Sequence, residues 1–129
     1  MTVDATILRT LRNAADNGDE AVSGAELAER LGISRAAVWA RIEELRALGY
    51  EINANPHHGY RLRSSPDVLN EDDILSLLSG KRLIGRDIRV FQETTSTNDV
   101  ADRLGRDGVK EGVVVLAEKQ SKGRGRLGR

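Results

Sequence analysis

The last ten residues of the chain, "QSKGRGRLGR" at 120–129, concentrate the groups best suited to hold an anion. Gly123, Gly125 and Gly128 fall in the spacing G-x-G-x-x-G, with Arg124 and Arg126 between them. Glycines let a backbone approach a ligand closely and reach positive φ. Successive N–H groups in such a loop can form an anion nest. Arginines add charge-assisted, bidentate contacts to phosphate or carboxylate. A dinucleotide-binding turn has the same spacing, but it needs its first glycine directly after a strand and its third at a helix start. Here the apolar strand core lies at 113–116, polar residues intervene at 118–122, and bulky cations fill the variable positions. A P-loop is excluded, because no Lys-Ser/Thr pair follows the glycines. From the residues alone two readings stay open: a loop that wraps a polyanion, and a flexible basic tail.

A second stretch, "ETTSTN" at 93–98, offers hydroxyls and an amide. Alone it is a weak signal, since Thr97 or Asn98 can simply cap a helix over 99–104.

These residues need elements to position them. "DIRVFQET" at 87–94 reads as a strand, "TSTNDVADRLGRDG" at 95–108 as a loop entering a helix, and "EGVVVLAEKQ" at 111–120 as a strand. Strand, helix, strand indicates the beginning of an α/β or α+β unit.

Upstream the texture is different. Residues 5–17 place Ile7, Leu8, Leu11 and Ala14 at helical spacing. "SGAELAERLG" opens with Ser23 and has Glu26 three residues later, a capping-box pattern, and Gly32 closes the run. Ser34 then caps a helix to about Leu48, with Val38, Ile42 and Leu45 on one stripe. The short glycine-containing join "LGIS" is that of a helix-turn-helix. "YEINANPHHGYRLR" changes to period two on both sides of a turn, a β-hairpin. It would serve as the wing.

In such a motif the N-terminal residues of the second helix face base edges in the major groove. With Val38 and Ile42 turned to the core, those exposed residues are Arg35, Ala36, Trp39 and Arg41. Residues 34–63 carry five arginines against three glutamates, a modest local basic excess. The competing reading is a structural or protein-docking winged helix. On spacing alone, Trp39 reads as a partly exposed packing residue, and His57 and His58 as polar wing-tip residues. Adjacent histidines on an extended chain point to opposite faces and converge poorly on a metal.

Composition sets the outer bounds. A chain of 129 residues suits one domain or two small ones. Hydrophobic residues at 39% and charged residues at 31% fit a folded chain, with a core of Leu, Ile, Val and Ala because aromatics are 3%. Net charge is zero, so any nucleic-acid surface must be a local patch. Without cysteine, disulfides, thiolate metal sites and cysteine catalysis are excluded. No apolar run approaches the ~20 residues of a membrane span, and the first residues lack a signal-peptide pattern. The expected location is cytoplasmic, with no membrane partner.

In combination these pieces strongly resemble the biotin–protein ligases that double as biotin operon repressors. The resemblance rests on "SRAAVWARI" in the helix-turn-helix, "HHGYRL" in the wing, then "TSTN", then "AEKQSKGRGRLGR". It runs over essentially the whole chain and implies an α+β fold. Residues 1–63 would be a winged helix-turn-helix DNA-binding domain and 64–80 a linker with a short helix. Residues 81–129 would be the truncated start of the α/β ligase catalytic domain.

The resemblance implies that biotin attacks the α-phosphate of ATP, which arrives with Mg2+. Biotinyl-5′-adenylate and pyrophosphate form, and the biotinyl group passes to a lysine of an acceptor such as the biotin carboxyl carrier of acetyl-CoA carboxylase. It places Ser96 and Thr97 on the biotin rings, with Asn98 supporting them, and Gln120 on the ligand. Gly123, Arg124, Gly125 and Arg126 would close over the adenylate, with Arg124 and Arg126 as the catalytic cations on carboxylate or phosphate. No metal ligand is implied.

On the regulatory side, an adenylate-bound homodimer would sit on a palindromic operator. Ser34, Arg35, Ala36, Trp39 and Arg41 would make operator contacts, with the wing near His57, His58 and Arg61 on the backbone. The "KWPND"-like stretch that holds the family's catalytic lysine does not occur in these residues. This fragment is therefore expected not to ligate biotin by itself, and to fold as a winged helix to about Arg63 with a weakly supported remainder. The alternative is a non-enzymatic winged-helix transcription regulator.

Overall fold

The computed structural model of the chain describes residues 2–18 and 20–128. It has an α+β architecture in two compact units. One comprises Met1–Asp67 with Leu75–Leu77, the other Val68–Ile74 with Leu78–Arg129.

The first unit is a winged helix-turn-helix. Its helices are α1 (Val3–Asp16), α2 (Gly24–Leu31) and α3 (Arg35–Ala47), followed by β1 (Glu51–Asn55) and β2 (Gly59–Ser64). Helix α1 starts two residues before the hydrophobic pattern predicts. The Thr2 hydroxyl accepts from the Ala5 N–H at 3.1 Å, and Asp4 occupies the first turn, where the helix dipole favours a carboxylate.

The turn between α2 and α3 is a Schellman closure. Gly32 takes φ +65°, its N–H reaches the Glu29 carbonyl, and the Ile33 N–H reaches the Ala28 carbonyl at 3.1 Å. Ile33 packs against the core as it leaves the helix. One residue on, the Ser34 hydroxyl accepts from the Ala37 N–H at 3.0 Å and starts α3.

The predicted stripe holds: Val38, Ile42 and Leu45 are buried with Ile7, Leu8, Leu11 and Leu27. The capping box is half formed. Ser23 accepts from the Glu26 N–H, but the Glu26 carboxylate pairs with Arg30 one turn on. Strands β1 and β2 pair antiparallel, with Ile52 opposite Leu62 and Ala54 opposite Tyr60. Val22, before α2, adds a third rung through two backbone bonds to Tyr60, at 2.9 and 2.8 Å.

The residues of Leu75–Leu77 end α4 (Glu71–Leu77), which Asn70 caps through the Asp73 N–H. Arg9 donates to the Leu75 and Ser76 carbonyls at 3.1 and 3.2 Å. Those carbonyls have no acceptor role left inside so short a helix, and the cation suits the negative end.

The second unit is built on β3 (Asp87–Thr94), α5 (Thr97–Arg106) and β4 (Val113–Gln120). The strands are parallel and in continuous register, from Asp87 opposite Val113 to Thr94 opposite Gln120. A helical crossover is what parallel neighbours require. Of its apolar residues, Ile88 is buried, whereas Val113, Val114, Val115, Leu116 and Ala117 are half-buried. Helix α5 begins two residues before the predicted 99–104 span. Ser96, and not Thr97 or Asn98, is the cap: its hydroxyl accepts from the Asn98 N–H at 3.2 Å.

Candidate functional site

The first candidate surface is a cleft of about 470 Å³ in the first unit, between the first turn of α3, the start of α2 and the hairpin turn. Arg35, Ala36 and Trp39 line one wall, and Ala54, Pro56, His57 and His58 the other. The turn is shaped by Asn55, whose side-chain oxygen accepts from the His57 and His58 N–H groups at 2.8 and 3.3 Å. That leaves both imidazoles at the tip, exposed. No carboxylate lines the cleft among the described residues. Trp39 is 57% exposed, so it is not a core residue. The Ser34 hydroxyl caps the helix and lies at the surface beside Arg35.

The outer face of the hairpin carries Arg61 and Arg63 on alternate positions of β2, with Asn53 directly across from Arg61. Arg46 lines the same face, but its guanidinium grips the Ile52 carbonyl through Nε and Nη2, at 2.9 and 2.6 Å, and pairs with Glu43.

Arg41 differs from its sequence reading. Its guanidinium forms a bidentate pair with Asp4 of α1, at 2.7 and 2.6 Å, and a further pair with Glu44 at 2.9 Å. Asp4 is 8% exposed at its side chain, Arg41 39%. The spacing on α3 put Arg41 on the exposed side, but a buried carboxylate from another helix demands a partner. Arg41 therefore ties α3 to α1. Asp4 lies before the stretch whose apolar spacing marks the first helix, so nothing in the sequence signalled its role.

The second candidate site joins the start of α5 to the end of β4. The side-chain oxygen of Gln120 accepts from the Thr97 N–H at 2.8 Å and from the Thr97 hydroxyl at 3.1 Å. The Ser121 and Lys122 N–H groups donate to the Thr94 and Thr95 carbonyls at 2.9 and 2.7 Å. Asn98 Nδ2 reaches the Arg124 carbonyl at 3.5 Å, and Arg124 Nη2 meets Asp99 Oδ1 at 2.7 Å. The Thr95 hydroxyl reaches the other Asp99 oxygen at 3.3 Å.

The hydrogen bond from Arg124 holds the Asp99 carboxyl below its ordinary range, against the opposing effect of burial, with the Arg124 charge, the Thr95 hydroxyl and Arg103 assisting. Sequence reasoning missed Asp99, although its place directly after "STN" was a usable signal. Ser96 is 1% exposed, its oxygen engaged by the helix.

The structure thus brings Ser96, Thr97 and Asn98 together with Gln120, Gly123 and Arg124. A Cβ on Gly123 would lie 3.0 Å from the Gln120 side-chain nitrogen, a tight approach. Among the described residues, Gly125 and Arg126 make no hydrogen bond or ion pair to the start of α5. Arg126 opens a short 3-10 turn over Arg126–Gly128. Positive φ occurs at Leu127 (+56°) and at neither Gly123 nor Gly125, so the conformational freedom expected of these two glycines is not used here. Arg129, the last residue of the motif, lies outside the described residues. Also among the described residues, no three His, Cys, Asp or Glu side chains gather as a metal site, and no helix is long and apolar enough to cross a membrane.

A family described as an HTH domain matches residues 5–61. The chain is 41% identical over 112 residues to the bifunctional ligase/repressor BirA of Bacillus subtilis (strain 168), covering 87% of this chain and 34% of that protein. It is 39% identical over 108 residues to the bifunctional ligase/repressor BirA of Escherichia coli (strain K12), covering 83% and 32%. It is 31% identical over 96 residues to the probable transcription repressor NiaR of Thermotoga maritima, covering 64% and 54%. The chain spans about a third of the length of the ligase/repressors it matches.

Proposed function

The chain belongs with the N-terminal portion of the bifunctional ligase/repressor family, and on that premise we propose that its first unit is the DNA-binding module of a biotin-responsive repressor. The observation that carries this is the cleft between α3 and the hairpin. It presents Arg35, Trp39, His57 and His58 with no opposing carboxylate among the described residues. The first turn of α3 enters the major groove, where Arg35 reads guanine or grips phosphate. Ala36 and Ser34 permit close approach, and the wing, through His57, His58 and Arg61, lies on the sugar-phosphate backbone. Arg41 supports this surface from behind through Asp4.

The test is affinity for duplex DNA against salt concentration. If Arg35 neutralises a phosphate, Arg35→Ala weakens binding and lowers the log–log salt slope by about one. Binding that ignores both salt and Arg35 would refute the proposal.

For the second unit we propose part of a site for carboxylate activation by ATP: the start of a biotin–protein ligase catalytic domain. The support is the way Gln120 and Arg124 are tied to the start of α5. Arg124 and Arg126 supply charge for the carboxylate and phosphate of biotinyl-5′-adenylate, and Thr97 and Ser96 supply polar groups for the biotin rings. Mg2+ travels with the phosphates of ATP, since the residues gathered here are cations and amides, and Asp99 is engaged by Arg124. Transfer to a carrier-protein lysine, and pairing of two copies on a palindromic operator, belong to the complete site and are part of the same proposal.

Titration calorimetry with a non-hydrolysable biotinyl-adenylate analogue tests it. Binding abolished by Arg124→Gln supports the reading. Likeness to a transcription repressor favours a second reading, a non-enzymatic regulator. DNA binding with no response to the analogue would select it.

A further inference from the structure

In the second unit, Arg124 is the loop arginine whose placement is resolved by named partners. Its backbone is anchored first: Ser121 and Lys122 bond to the Thr94 and Thr95 carbonyls, and the Arg124 carbonyl accepts from Asn98. Its side chain is then held by Asp99 through Nη2. Asp99 is itself oriented, with one oxygen on Arg124 and the other on the Thr95 hydroxyl. An isolated exposed ion pair gains little, because ordering two long side chains opposes it. Here the loop and the carboxylate are already ordered, so that cost is lowered. One guanidinium nitrogen is engaged by Asp99, and an arginine carries five donors in a planar fork. The remaining edge stays available for an anion.

We propose that Asp99 is a positioning residue: it fixes the guanidinium of Arg124 at the start of α5, so that its remaining donors are presented in one orientation to an anionic ligand. The ligand part of this inference rests on the carboxylate-activation reading above. Asp99 touches no ligand itself. It acts on binding through Arg124, as a carboxylate behind an anion-binding arginine does when it fixes the plane of the fork. Arg126, with no such partner among the described residues, is free to be recruited by the ligand, and the two arginines are therefore not equivalent.

The experiment uses the whole 129-residue chain and its Asp99→Asn, Asp99→Glu and Arg124→Gln variants. Side-chain 15N relaxation of the arginine Nε–H groups reads the order of Arg124 directly, and backbone amides of α5 verify that each variant folds. Arg124 is expected to be ordered in the parent, mobile in Asp99→Asn and partly restored in Asp99→Glu, while Arg126 is mobile in all of them.

The second reading is affinity for a biotinyl-adenylate analogue, expected to fall about two- to fivefold in Asp99→Asn, the scale of an exposed ion pair, and further in Arg124→Gln. Equal order of Arg124 in parent and Asp99→Asn overturns the proposal. So does unchanged affinity in Asp99→Asn when the parent binds and Arg124→Gln does not. If the parent binds no analogue while Arg124 still loses order in Asp99→Asn, the positioning stands and the carboxylate-activation reading fails.

Discussion

Gly59, where β2 leaves the hairpin turn, sets a sharp test of how the hairpin is held. It has φ +107°, and a Cβ built on it would lie 2.2 Å from the Val22 carbonyl oxygen and 2.7 Å from Ser23 Cα. Both neighbours are backbone, so no side chain can swing away. Gly59→Ala must therefore push the hairpin off the Val22 rung. A non-glycine residue at such a φ costs about 1–2 kcal/mol. Losing the two Val22–Tyr60 bonds adds about 1 kcal/mol each, so the whole substitution costs about 3–4 kcal/mol.

Gly32→Ala is the control. It also has positive φ, +65°, but nothing lies within 4 Å of its Cβ, and it should cost only about 1 kcal/mol. Urea titrations followed through the amide resonances of α3 measure both. Exchange of the Val22 and Tyr60 amides shows whether the rung is lost. Equal destabilisation by the two substitutions, with the rung still protected in Gly59→Ala, would refute the argument. Against a domain stability of roughly 5–15 kcal/mol, the predicted loss should also reshape the cleft that Gly59 lines.

Four further outcomes are expected. Arg41→Ala strips a nearly buried carboxylate of its partner and should cost about 1–3 kcal/mol, and a double-mutant cycle with Asp4→Ala should show strong coupling; additive effects would contradict the brace. Trp39→Ala should leave the urea midpoint within about 0.5 kcal/mol of the parent, as befits a surface position, yet weaken DNA binding; a large stability loss would return Trp39 to the core. Because the folded Asp99 carboxyl is held below its ordinary range by Arg124, the stability it contributes is present above the ordinary aspartate range and lost as pH falls through the depressed value. An NMR titration should show the Asp99 midpoint rising in Arg124→Gln, and no change would disprove the pairing. Finally, amide exchange should be slower through α1, α3 and the hairpin than through β3 and β4, whose strands are largely half-buried; equal protection would contradict this.

The helix-turn-helix was legible because each of its signals is local. Ser23, Ser34 and Gly32 cap and close helices by their own chemistry, and Val38, Ile42 and Leu45 announce the buried face by spacing alone. The strands of the second unit were legible in the same way, from apolar β-formers between turn residues. The candidate loop was legible as composition, Gly and Arg after a strand. Its geometry was not, since the left-handed residue proved to be Leu127.

What the tertiary structure alone decided is which charged groups meet. Nothing in the spacing of α3 tells that Asp4, 37 residues earlier, takes the Arg41 fork. Nor does it tell that Asp99 takes Arg124, or that Val22 and not a further strand completes the wing. The physical reason is range. Caps and stripes follow from neighbours along the chain. Ion pairs, orphan backbone groups and close backbone approaches are settled only when distant segments are brought together and each buried polar group must find a partner.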